Sequence, residues 1–252
     1  MIYRDKGYIG CFEMADKESG VRQLTAHVEE LKAAGHKRIV APINGDTWHS
    51  YRFVSWTSDE PAFPLEPQNP IWYNEVFQAC GFRPLKRYRS DQFPLARVEA
   101  LPQKDPAICL RAFRDGDLEV IYHLSTQGFD GNFLYDDIPF DTFFRLYQPF
   151  LPMLDGALTA IAEVEGRPTG FIFSYAAGDR LILKSMAVLP AFRSRGIGAM
   201  LINHVLLAGR RMGLETAVAA LMSEDNHSQA IVSKYGSERI REYTLYCLET
   251  EE

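Results

Sequence analysis

Arg193-Ser194-Arg195-Gly196-Ile197-Gly198 puts two guanidinium groups and two glycines into one short turn. Guanidinium groups supply charge-assisted donors. A backbone without Cβ lets an anion approach closely and opens φ > 0 at Gly196 and Gly198. This combination suits a phosphate. The flanks show which elements must hold the turn. Residues 181–189 are an apolar run of strand type, ended by Pro190, which has no N–H to give a ladder. Beyond the turn, Met200, Leu201, His204, Val205 and Ala208 recur at helical spacing, so a helix begins near the second glycine. The free N–H groups of its first turn, and its dipole, face the same turn and favour negative charge there. The turn is neither a G-x-x-x-x-G-K-[ST] loop nor a G-x-G-x-x-G loop.

The chain of 252 residues has room for one large domain or two of ordinary size. Hydrophobic residues at 46% and charged residues at 24% give an ordinary globular balance. A net charge of −6 argues against a general nucleic-acid or membrane-surface binder, which would be basic. Cys11, Cys80, Cys109 and Cys247 are widely spaced with no C-x-x-C pair, so neither a metal site nor a disulfide framework is expected. The polar start, MIYRDKGYIG, is unlike a signal peptide, and no apolar run reaches membrane-spanning length. A cytoplasmic location is the expectation.

Read in order, the pattern predicts a strand over 8–14, a helix over 16–34, a strand over 38–43, a proline-rich irregular stretch over 57–70, a helix over 74–80 and a strand over 85–90. The stretch 101–106 reads as a linker, dividing the chain into domains 1–105 and 106–252. The second part predicts a strand over 108–113, helices over 117–126 and 140–150, and a hairpin about Gly166-Arg167-Pro168-Thr169. The central strand, turn and helix follow, then a strand, a helix over 228–235 and a closing strand. His27-Val28 and His204-Val205 share an offset of 177, and helix-stopping glycines recur near the same spacing, so the first part reads as a repeat of the later elements. At that offset Arg193, Gly196 and Gly198 become Asp16, Ser19 and Val21, which would repel or crowd an anion. One anion site is expected, in 106–252.

The R-x-x-G-x-G turn after Val188-Leu189-Pro190, within a β-α-α-β-β-β-α-β-α-β order, resembles the acetyl-CoA signature of the GNAT acetyltransferase superfamily. The resemblance implies an α/β fold with a mixed sheet: a complete GNAT domain at 106–252 preceded by a degenerate, partial GNAT-like repeat, as in tandem bacterial GNAT proteins. It implies N-acetyl transfer from acetyl-CoA, a cosubstrate, to a primary amine of a small molecule or an amino-terminal group. Arg193, Ser194, Arg195, Gly196, Ile197 and Gly198 would then hold the CoA pyrophosphate. Met186, Ala187 and Val188 would line the pantetheine and meet the thioester carbonyl. Asn226 would contact the pantetheine, or else cap the following helix. Members commonly place a thiolate-protonating tyrosine about four residues before the closing glycine; here that position is Val232. Tyr235 and Tyr243 stay open as the acid.

A non-catalytic acyl-CoA-binding module is the alternative function, and an empty structural cradle a third. No nucleic acid, membrane or metal partner is expected, and a homodimer stays open. Glu163 and Glu165 share a strand face, as bases or as solvated carboxylates. Acceptor specificity is expected from residues 129–150, rich in phenylalanine, tyrosine and aspartate. A second cluster, Trp48, His49, Tyr51 and Arg52 with Glu66, Asn69, Trp72 and Tyr73, reads as a surface for a ligand or for the other domain, where it would wall part of the acceptor cleft.

Overall fold

A computed structural model describes every residue except Lys104, 225–227 and 251–252; of Met153 and Ser228 only the backbone is described. The chain divides into two compact units. The first is built from Met1–Ser90, from the end of a later strand beginning at Leu221, and from the chain from Arg239 onward. The second is built mainly from Asp91–Ala220.

In the first unit the order is β1 (Ile2–Tyr3), β2 (Tyr8–Ile9), α1 (Lys17–Ala33), β3 (Arg38–Ala41), β4 (Phe53–Thr57), α2 (Tyr73–Ala79) and most of β5 (Arg83–Pro94). Asp16 caps α1: its carboxylate accepts the Ser19 N–H at 2.7 Å, and the Ser19 hydroxyl accepts the Asp16 N–H at 3.3 Å. Leu24, Val28 and Leu31 fall on one face of α1 and are buried with Ile39, Val76, Phe77 and Tyr246. The strand expected over 8–14 stops at Ile9. A Cβ on Gly10 would lie 2.2 Å from the Ile43 carbonyl oxygen, and Cys11 takes a left-handed φ of 51°. β4 was not expected; its Phe53 and Val54 are buried while Trp56 is 44% exposed, so alternation is weak.

The second unit contains β6 (Ile108–Ala112), α3 (Asp117–Phe129), α4 (Phe140–Tyr147), β7 (Ala160–Val164), β8 (Arg167–Ala177), β9 (Arg180–Val188), α5 (Ile197–Arg211), most of β10 (Thr216–Ser223) and α6 (Ser228–Val232). Its strands run β10-β9-β8-β7-β6, antiparallel except for β9 with β10. The β7–β8 turn is Glu165-Gly166, both left-handed at φ 53° and 74°, one step before the expected hairpin residues. The helix expected over 140–150 gives way at Gln148 to a 3₁₀ turn, because Pro149 and Pro152 cannot continue it. The 228–235 helix likewise ends at Val232 and continues as a 3₁₀ turn over Ser233–Tyr235.

The last strand, β11 (Glu238–Glu249), pairs antiparallel with β4 through Arg241–Thr244 and with β3 through Tyr246–Glu249. It therefore completes the sheet of the first unit, in the order β1-β2-β3-β11-β5. Residues 91–103 belong to the second unit. There the buried Asn203 of α5 donates to the Glu99 carbonyl at 2.7 Å and accepts the Leu101 N–H at 3.0 Å.

Candidate functional site: an open strand edge and an uncapped helix

β9 pairs with β10 from Arg180 to Leu183 and with β8 along its whole length. Its register with β8 skips Lys184, since Leu183 faces Ser174 while Ser185 faces Phe173. This bulge bends β9 where the pairing with β10 ends. The Leu189 N–H donates to Thr169 at 2.9 Å. By the alternation of an antiparallel ladder, Ala187 is the next residue turned to β8, while Met186 and Val188 direct their N–H groups to the opposite edge. The three strand residues expected at the site thus differ. Met186 and Val188 offer backbone groups, whereas Ala187 is packed against α3. A Cβ on Gly128 would come within 2.6 Å of the Ala187 Cβ, so glycine is required for that approach.

After β9 the chain makes a 3₁₀ turn over Pro190–Phe192 and enters α5 through Ser194 (φ 64°) and Gly196 (φ 83°). Gly196 is the N-cap, and among the described residues no side chain caps the helix. The first bond into α5 runs from the Met200 N–H to the Gly196 carbonyl at 3.0 Å. The N–H groups of Ile197, Gly198 and Ala199 therefore precede the helical ladder. Only Gly196 uses the left-handed freedom expected of both glycines. Gly198 is not left-handed, and a Cβ there would meet the Met186 Cε at 3.4 Å. α1 is the contrast: its N-terminus is already closed by the carboxylate of Asp16.

The two arginines of the turn are engaged. Arg193 donates from Nε to the Val188 carbonyl at 3.2 Å and from Nη2 to the Gly128 carbonyl at 2.9 Å, strapping the turn to β9 and α3. Arg195 donates from Nη2 to Asp105 at 2.6 Å, and that bond holds the Asp105 carboxyl below the usual carboxylate range. Gly128 and Asp105 were not singled out from the sequence. An isolated glycine inside a helical pattern was the available signal for the first; nothing local marks the second. Asn226 lies outside the described residues.

Tyr235 belongs to the second unit, half-buried, with its ring stacked on Phe93 at 5.1 Å and 14°. Tyr243 belongs to the first unit and is fully buried. Its hydroxyl donates to Glu66 at 2.6 Å and lies 2.9 Å from the Ser90 hydroxyl. Burial, then the charge and hydrogen bond of Glu66, push its pKa far above the ordinary phenol value. Val232 is 1% exposed and packs as core. Glu163 is held by Arg111 Nε at 2.6 Å, and the same guanidinium forks onto Asp117 at 2.6 and 2.9 Å. That triad ties β6, β7 and the start of α3 together. Among the expected acceptor aromatics, Phe143 is fully buried and stacks on Tyr147 at 4.3 Å, while the Tyr135 hydroxyl donates to Asp137 at 2.8 Å.

In the second unit β9 thus parts from β10 beyond Leu183, just before a helix entered through a glycine. Residues 119–236, just under half of the chain, match the Acetyltransferase (GNAT) family. Solved structures of similar fold include a GCN5-related N-acetyltransferase from Sphaerobacter thermophilus, with TM-score 0.63 and 15% identity. The alignment covers 91% of this chain and 66% of that one, so this chain spans just under two thirds of its relative's length. A tandem GNAT protein from the clavulanic acid biosynthesis pathway aligns over 92% of this chain and 70% of its own, with TM-score 0.56 and 14% identity. A conserved protein of unknown function from Staphylococcus epidermidis covers 96% and 84%, with TM-score 0.52 and 11% identity. At these identities the likeness is one of fold. No curated protein matches the sequence. Among the described residues, no helix is long and apolar enough to cross a membrane.

Proposed function

We propose that this chain is an N-acetyltransferase that takes the acetyl group of acetyl-CoA to a primary amine, of a small molecule or an amino terminus, by direct attack. The observation that carries the reading is the succession of a β9 edge beyond Leu183 and the α5 N-terminus with no side-chain cap. Bound acetyl-CoA would supply an activated thioester. The residues suit it: an anion at Gly196 meets the N–H groups of Ile197, Gly198 and Ala199 and the positive end of α5. Met186 and Val188 offer strand-like backbone bonds to an extended ligand arm, and a fixed N–H there can stabilise charge developing on a carbonyl oxygen. Arg193 keeps the turn in shape, and Arg195 reaches a phosphate by exchanging Asp105 for it.

Tyr235 is the proton donor in this reading. Tyr243, whose hydroxyl donates to Glu66 in a buried setting that keeps it protonated, is the poorer acid. A second reading, a non-catalytic acyl-CoA-binding module, draws on buried Val232 at the position where the family commonly has its tyrosine. Thermal unfolding with acetyl-CoA, with ATP and NAD as controls, tests binding: a ligand specific to the folded state adds about 2.7 kcal/mol at a hundredfold excess over Kd. Release of free CoA thiol with a panel of primary amines then separates the readings. A shift without thiol release would leave a binding module, and no shift at millimolar acetyl-CoA would remove both.

A further inference from the structure

The first unit contains a cavity of about 190 Å³ that the acyl-transfer reading does not use. It lies among the loops after β2, β3 and before α2, and Arg52 lines it together with Asn44, Ser50, Gln68, Cys11 and Phe53. Arg52 is 8% exposed. Its guanidinium carbon sits 3.9 Å from the centre of the Tyr51 ring and 4.1 Å from that of Tyr88. It donates one hydrogen bond, from Nη1 to the Leu221 carbonyl at 3.3 Å. Among the described residues no carboxylate pairs with it. The buried carboxylate in this unit, Glu66, is already taken by Arg241 Nε at 3.2 Å and the Tyr243 hydroxyl at 2.6 Å. Arg241 thus has that carboxylate, and among the described residues Arg52 has none.

A buried cation is costly unless paired. Arg52 keeps that charge against two aromatic rings, beside a cavity with no acidic residue among the described residues that line it. The rings hold the planar fork in one orientation, which suits two-point recognition of a carboxylate. The other polar lining groups are neutral, and part of their capacity is spent. Asn44 accepts the Cys11 N–H at 2.7 Å, and Asn69 accepts the Val54 N–H at 2.7 Å. One positive charge, neutral amides and apolar walls of Phe12, Phe53, Pro42 and Pro67 fit a small monocarboxylate with a short apolar body. A phosphate would call for more donors. The volume holds about six waters at roughly 30 Å³ each, the size of a short carboxylic acid.

We propose that the first unit binds a small monocarboxylate through Arg52, in a site separate from the β9–α5 turn. The inference stands on residues of the first unit alone and does not need the acetyltransferase reading. Cys11, exposed at the rim of the cavity, reports on it. The full chain is alkylated with iodoacetamide at constant ionic strength, with butyrate, butyramide or sulfate present, and peptides are quantified by mass spectrometry. Exposed Cys109 is the internal reference. Butyrate is expected to slow alkylation of Cys11 severalfold and leave Cys109 unchanged, with butyramide and sulfate inert. Arg52→Gln should remove the protection. Because that change touches a buried residue, Gln68→Trp, at an exposed position, provides a second test by filling the mouth. No protection at tens of millimolar butyrate, equal protection by butyramide or sulfate, or full protection retained in folded Gln68→Trp would overturn the proposal. The acetyl-CoA thermal shift, measured on the same protein, stands or falls separately.

Discussion

The hydroxyl of Tyr243 donates a hydrogen bond to Glu66 at 2.6 Å inside the first unit, while Tyr235 is half-buried with its ring stacked on Phe93. A proton shared with a buried carboxylate is hard to pass to a thiolate, because its loss would put two negative charges side by side. Replacing Tyr235 by Phe is therefore expected to lower kcat about a hundredfold, in the range of lost general-acid catalysis, with the acetyl-CoA thermal shift kept. Tyr243→Phe should leave kcat within a few-fold and cost about 1–3 kcal/mol of stability, since Glu66 loses a buried donor. Steady-state kinetics and urea unfolding on both variants check the pair. A large kcat loss confined to Tyr243→Phe would reverse the assignment. Both tyrosines were visible in the sequence as candidates. What separated them was the company each keeps, and Glu66 lies 177 residues from Tyr243.

At the scale of elements, the starts of α1 and α5 have opposite chemistry. α1 closes its N-terminus with the carboxylate of Asp16, whereas α5 begins at a glycine and leaves its first N–H groups without a side-chain cap. The contrast was legible in Asp16 and Ser19 against Arg193 and Gly196, because capping is decided within four residues. The roles of the arginines were not legible. Arg193 binds carbonyls of β9 and α3, and Arg195 binds Asp105, a partner 90 positions away. If Arg195 exchanges Asp105 for a pyrophosphate, Asp105→Asn removes a competitor and should tighten acetyl-CoA binding severalfold at low salt. Arg195→Ala should weaken it by a similar factor, and both effects should shrink in high salt. Titration calorimetry at two salt concentrations measures this; unchanged affinity in both variants would leave the turn's backbone as the whole anion site.

For the molecule as a whole, β11 matters most, because the chain's last strand lies in the sheet of its first unit, antiparallel to β3 and β4. A fragment beginning after residue 105 would lack both partners, so its failure to fold would say nothing about catalysis. Leu245, fully buried on β11, gives a gentler probe. Leu245→Ala is expected to cost about 2–5 kcal/mol, and hydrogen exchange should quicken first in β3 and β4 rather than in β6–β8. Quickening confined to the second unit would contradict this placement of β11. The sequence by itself determined the α/β character, the strand-turn-helix about Gly196, the anion-repelling start of α1 and most helix limits. These depend on periodicity, glycine, proline and capping residues, whose effects act over a few neighbouring positions. Only the tertiary structure decided that β11 completes the first sheet, that β9 parts from β10 after Leu183, that Gly128 lets α3 approach Ala187, and that Arg52 is buried with no carboxylate partner among the described residues. Strand pairing, close helix approach and ion pairing join residues tens to hundreds of positions apart, and such partners leave no mark on the local pattern of either one.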